Sequence, residues 1–144
     1  MSLKAVAIAS DHRGITLKAA LSESLRGRGL RVVDLGPDSE EAVDYPDYAD
    51  ALAHKIASGG VERGVLICGS GIGMSIAANR HRQVRAALCH DAEQARLCRR
   101  HNDANVLTLP GSTISDEDAQ TCLSVFLDTG FEGGRHARRV AKLA

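Results

Sequence analysis

Six consecutive residues, Cys68-Gly69-Ser70-Gly71-Ile72-Gly73, place a thiol at the mouth of a glycine-rich turn. They directly follow the most apolar run of the chain, Val65-Leu66-Ile67. Glycines between a strand and a helix let main-chain N–H groups approach an anion, and the helix N-terminus adds partial positive charge. A thiol in that setting is expected to ionise more readily than a free cysteine. The G-x-G-x-G spacing lacks the full dinucleotide fingerprint and the lysine of a P-loop. A cysteine-phosphatase loop needs Arg where Met74 stands, and a serine-hydrolase elbow needs Gly where Cys68 stands. What remains is a cysteine acting as general base beside a loop that stabilises an oxyanion, which suits proton abstraction next to a carbonyl.

Asp11-His12-Arg13 and Arg99-Arg100-His101-Asn102-Asp103 offer two histidines able to move protons near neutral pH. Both are expected on the ligand side of one sheet. Arginines gather as Arg80/Arg82/Arg85, Arg96/Arg99/Arg100 and Arg135/Arg138/Arg139. Guanidinium forks match phosphate oxygens bidentately, so these groups suit recognition of a small anion. The segment Gly133-Gly134-Arg135-His136-Ala137-Arg138-Arg139 is read as a phosphate clamp, for this subunit's site or a neighbour's.

The elements that position these residues alternate along the chain. Short apolar runs at 4–10, 30–35, 65–68, 84–89 and 104–109 read as strands. Helical patterns separate them: 15–25, with Leu17, Leu21 and Leu25 four apart; one opened by Asp44-Tyr45-Pro46; one through Asn79; one capped by Asp91; and one started by Ser115. A basic helix over 132–143 closes the chain. This pattern predicts an α/β fold, a Rossmann-like parallel sheet of five strands in the order 2-1-3-4-5 with helices on both faces. Ligands in such folds bind beyond the carboxyl ends of the strands at the switch point between strands one and three. The loops meeting there are 10–14 and 68–73.

The length of 144 residues suits a single domain spanning 1–144, large enough to fold without a staple. Eighteen basic and eighteen acidic residues balance, and aromatics make up 3%, which argues against nucleic-acid binding and against a polybasic membrane anchor. No apolar run is long enough for a transmembrane helix and no signal peptide is evident, so a cytoplasmic protein is expected. Cys68, Cys89, Cys98 and Cys122 show no zinc-type spacing and are read as reduced thiols.

Taken together, Ser10-Asp11-His12, Asp44-Tyr45-Pro46, residues 66–73, Ser75-Ile76-Ala77-Ala78-Asn79, residues 101–107 and Glu132-Gly133-Gly134-Arg135-His136 closely resemble the type B ribose-5-phosphate isomerases and their galactose-6-phosphate isomerase relatives, over essentially the whole chain. The resemblance implies an obligate homodimer, often paired into tetramers, with no metal or cofactor. It implies interconversion of ribose 5-phosphate and ribulose 5-phosphate. Cys68 then matches the catalytic base, Gly69, Gly71, Ile72 and Gly73 the anion hole, and Ser70 a hydroxyl that assists proton traffic. His101 matches the residue that opens the furanose ring, and Asp11 one that binds ring hydroxyls. His12, Arg135 and Arg139 match phosphate ligands, the two arginines crossing to the partner's site. Tyr45, Asn79, Asn102 and His136 belong to the expected substrate pocket. Some relatives use a Glu later in the glycine loop as base; Ser75 in that region points to the cysteine subgroup.

One position departs from the family pattern. Relatives usually carry Gly-x-Arg after strand five, and that Arg touches phosphate, whereas this chain reads Leu109-Pro110-Gly111-Ser112-Thr113, and an ungapped match puts Ser112 at the Arg position. Either Arg13 or Arg99 substitutes, or the preferred substrate is a tetrose or hexose phosphate. A non-catalytic sugar-phosphate-binding module is the alternative of another class, disfavoured by the Cys68 and His101 pair, which simple binding does not require.

Overall fold

A computed structural model describes residues 3–144. Strand β1 (Ala5–Ser10) is entirely buried and ends in a single tight turn, His12–Gly14. Helix α1 (Ile15–Gly27) returns the chain to β2 (Arg31–Asp34), and α2 (Tyr45–Ala57) leads to β3 (Arg63–Cys68). Helix α3 (Ile72–Asn79), β4 (Ala86–Leu88), α4 (Ala92–Asn102), β5 (Val106–Pro110), α5 (Asp116–Asp128) and α6 (Arg135–Ala141) follow. Every strand pairing is parallel.

The caps follow from side-chain chemistry. Asp91 accepts a hydrogen bond from the Gln94 amide at 2.8 Å, and Ser115 accepts one from the Asp118 amide at 3.1 Å, each satisfying an orphan donor of a first turn. Pro46 sits in the first turn of α2, where its missing N–H costs nothing. The basic closing helix begins at Arg135, later than the expected 132, because Gly133 and Gly134 hold left-handed φ angles of 71° and 56° that end any helix running through them.

Strand side chains alternate between two core layers. Val6, Ile8, Val65, Ile67, Leu107 and Leu109 meet Leu21 of α1, Cys98 of α4 and Phe126 of α5. Ala5, Ala7, Ala9, Leu66 and Val106 meet Leu52 of α2 and Met74 of α3. Both faces are therefore covered, as an all-parallel sheet requires.

The strand order is β2-β1-β3-β5-β4, which corrects the expected 2-1-3-4-5 at one edge. β5 is five residues long and wholly buried, whereas β4 has three residues, all only half-buried. The longer, continuously apolar strand takes the interior position beside β3, and Ala-Ala-Leu is left at the edge. The change leaves the switch point between β1 and β3 intact. No helix among the described residues is long and apolar enough to cross a membrane.

Candidate active site

The carboxyl ends of β1 and β3 frame a cleft of about 540 Å³ lined by Asp11, His12, Arg13, Val43, Tyr45, Cys68, Gly69, Ser70, Ile72, Gly73 and Ile76. The Asp11 amide donates to the Ile67 carbonyl at 2.9 Å, which ties the turn after β1 to β3. Gly14 makes the approach possible, since a Cβ there would sit 2.7 Å from Ile67 Cγ2. Asp11 is buried, and its Oδ1 accepts from the Arg13 amide at 2.9 Å, which fixes the carboxylate at the floor of the turn. His12 Nδ1 accepts from the Val43 amide at 3.2 Å. That bond leaves the proton of the neutral ring on Nε2, so His12 can donate from that atom.

Cys68, at the last position of β3, is 5% exposed, yet it lines the cleft rather than lying wholly within the core. The Gly71 amide donates to its Sγ at 3.2 Å. Gly71 holds φ at +76°, and a Cβ there would collide with Leu88 and lie 3.2 Å from the Leu109 carbonyl. Gly71→Ala is therefore expected to destabilise the fold by at least the roughly 1–2 kcal/mol of a left-handed residue, measured by urea unfolding. The Ile72 amide donates to Ser70 Oγ at 3.2 Å, and the Gly73 amide has no acceptor among the described residues. An open first-turn amide beside a thiol is the donor an oxyanion needs. Tyr45 leans over this turn; a Cβ on Gly73 would lie 2.5 Å from its ring.

A second cluster lies elsewhere. His101, in the last turn of α4, stacks on His136, in the first turn of α6, with ring centroids 4.4 Å apart and planes 11° from parallel. Glu132 Oε1 is 3.6 Å from His136 Nε2, its Oε2 is 3.9 Å from His101 Nε2, and Arg100 pairs with that Oε2 at 3.1 Å. His136 is buried; that burial, with His101 and Arg135 alongside, pushes its pKa below the ordinary histidine value.

Comparison with known proteins shows the family. The profile of one family, described as Ribose/Galactose Isomerase, matches residues 6–143. The chain belongs to that family. It is 42% identical over 138 residues to ribose-5-phosphate isomerase B of Escherichia coli, covering 96% of this chain and 93% of that one. Ribose 5-phosphate isomerase B of Thermotoga maritima superposes with a TM-score of 0.95 at 51% identity, covering 97% of each chain. The Mycoplasma genitalium ribose-5-phosphate isomerase B, solved with bound ribulose-5-phosphate, gives a TM-score of 0.94 at 41% identity, covering 99% of this chain and 95% of that one.

In this member of the ribose/galactose isomerase family the expected site residues fall into two groups. Asp11, His12, Tyr45, Cys68, Gly69, Ser70, Ile72 and Gly73 share the cleft, with Gly71 at its floor. His101, Asn79, Asn102, Arg135, His136 and Arg139 are absent from its lining. The expectation that His12 and His101 share the ligand side of the sheet is corrected. His101 precedes β5, whose first residue Val106 is level with Gly64, while Cys68 is level with Pro110. Four residues of strand, about 13 Å, separate those levels. A residue just before a strand of a parallel sheet necessarily lies at its amino end.

Asn79 is committed to the main chain: its Oδ1 accepts from the Ala86 amide at 2.7 Å and its Nδ2 donates to the Ala86 carbonyl at 3.0 Å, which pins the start of β4. Asn79 and Asn102 line a separate cleft of about 400 Å³ with Arg82 and Arg85. Cys89, Cys98 and Cys122 are buried in the layer below α4 and α5. Burial pushes the Cys122 thiol up to about 11, and Cys89 is also raised, by its hydrogen bond with Cys98 and by burial. Val43 and Ile76 also form the rim, and sequence reasoning assigns neither of them to the site. Ile72 and Ile76 are one helical turn apart and more than half exposed, an i, i+4 apolar pair that the sequence displays.

Proposed function

We propose that this isomerase interconverts ribose 5-phosphate and ribulose 5-phosphate through an enediolate, in a site completed by a second copy of the chain. The observation that carries the chemistry is the Cys68 sulfur at the cleft floor, held by the Gly71 amide next to the open Gly73 amide. Cys68 as thiolate takes the proton from carbon 2 of the open-chain aldose. The electrons form the carbon 1–carbon 2 double bond, and the loop amides hold the negative charge that develops on the carbonyl oxygen. The same sulfur returns the proton to carbon 1. Ser70 passes the remaining proton between the two oxygens, and Asp11 binds sugar hydroxyls. The bound ribulose-5-phosphate of the Mycoplasma genitalium relative supports this substrate class.

Ring opening needs an acid at the ring oxygen, and the His101 role fits only if that imidazole comes from a neighbouring copy. Tyr45, Ile72 and Ile76, exposed around the cleft, offer the apolar rim such a copy covers. Asn102, Arg135 and Arg139, on the His101 side of the chain, would arrive with it, the arginines as phosphate ligands. His136, buried against His101, serves that imidazole rather than the sugar.

Arg13 supplies the cation missing at Ser112. A Cβ on Gly69 would lie 3.3 Å from Ser112 Oγ and 3.4 Å from Arg13 Nη1, so the arginine reaches the serine's own neighbourhood. Arg99 is spent elsewhere: it is buried, with Nη1 on Asp103 and the Ala104 carbonyl and Nε on the Thr129 carbonyl. Arg13→Ala is expected to raise KM for the sugar phosphate about ten- to hundredfold with a smaller change in kcat, as for loss of one charge-assisted bond. Steady-state kinetics check this. A coupled assay of tetrose, pentose and hexose phosphates tests the substrate: kcat/KM is expected to be highest for ribose 5-phosphate, and a preference for either other length would overturn that assignment.

A further inference from the structure

The second cluster holds a donor set of which the proposed proton chemistry uses His101 alone. His101, Glu132 and His136 each present a ligand atom, and all three atoms lie within 4.8 Å of one another. Two imidazoles and one carboxylate form a common three-ligand set for zinc, leaving a fourth position for water. The supports are fixed. The Glu132 amide donates to the Arg100 carbonyl at 3.0 Å, which clamps the loop to the end of α4, and the His136 amide donates to the Gly133 carbonyl at 3.0 Å.

A second, independent feature points to a ligand. His136 Nε2 is buried and has no hydrogen-bond partner among the described residues, while Glu132 Oε1 stands 3.6 Å away. A buried polar atom without a partner is costly, and coordination would satisfy it. Glu132 is also divided suitably. Arg100 holds Oε2, leaving Oε1 for an ion, in the manner of carboxylate ligands held by outer partners.

We propose that His101, Glu132 and His136 bind one divalent transition-metal ion of the zinc class, and that the bound ion inhibits the isomerase by occupying His101. Tetrahedral zinc with bonds of 2.0–2.1 Å places its ligand atoms about 3.3 Å apart. The stacked rings must therefore rotate toward each other, and His101, with 38% of its side chain exposed, has room to do so. Arg100, Arg135 and Arg139 oppose a cation here, which the Glu132 charge offsets in part. The inhibitory consequence rests on the ring-opening role given to His101; the binding does not.

Full-length protein stripped with a chelator and titrated with Zn²⁺ by calorimetry tests the site. The expected result is saturable binding of one ion per chain, weakened at least tenfold by Glu132→Gln and by His136→Gln and unchanged by Cys68→Ser. Glu132→Gln keeps the test decisive should the buried histidine variant misfold. Co²⁺ is expected to give a visible spectrum without a thiolate charge-transfer band. Absence of saturable binding, equal affinity in Glu132→Gln, or a thiolate band lost in Cys68→Ser would overturn the site. Activity is expected to fall in step with Zn²⁺ occupancy and return with EDTA. Binding without inhibition would uphold the site and overturn the role of His101 instead.

Discussion

Replacing Cys68 with alanine is expected to lower kcat by about a thousand- to ten-thousandfold, the upper part of the range for a general base. The sulfur lines the cleft and is held by the glycine loop, through the Gly71 amide at 3.2 Å. Asp11 is fixed by the Arg13 amide, and His12 Nδ1 by the Val43 amide, so neither is a ready substitute. KM is expected to change little, because His12 and Arg13 remain in the cleft wall. Cys68→Ser keeps the size of the side chain but offers an alcohol that does not ionise near neutral pH, and a loss of similar size is expected. A protein that merely binds sugar phosphates would show the same affinity and no turnover to lose. Full activity in either variant would remove the cysteine from the mechanism.

The second large effect concerns two chains at once. Cys68→Ala and His101→Ala proteins, each inactive alone, are expected to regain about a quarter of wild-type activity when unfolded together, mixed in equal amounts and refolded. Random pairing in a two-fold dimer makes half the dimers mixed, and each mixed dimer holds one site with both residues intact. If Cys68 and His101 served one site within one chain, every site would lack one of them and no activity would return. The roughly 13 Å of β3 between the two levels makes the first outcome the expected one.

Much of this arrangement is legible in the residues themselves. The Cys68–Gly73 loop falls between the apolar run Val65-Leu66-Ile67 and a helix, and both the switch point and the expectation of an anion-binding turn follow from that placement. Asp91 and Ser115 cap the helices their positions announce. The order of the last two strands is not local information. It depends on β5 outcompeting β4 for the place beside β3, a comparison of burial that no window of residues contains. The same holds for Asn79, whose side chain is drawn to Ala86 because β4 needs an anchor there. His101 is different: its place at the amino end was implied once it preceded a strand of a parallel sheet. The His101–His136 stack joins two segments that sequence alone has no reason to pair.

Solvent isotope incorporation tests the role of Cys68 most directly. Ribose 5-phosphate converted in D₂O should yield ribulose 5-phosphate carrying solvent deuterium at carbon 1 in a single stereochemical position, whenever the enediolate lives long enough for the thiol to exchange. Cys68→Ala should neither isomerise the sugar nor exchange its carbon-2 hydrogen. Undiminished exchange in Cys68→Ala would place the base on another residue.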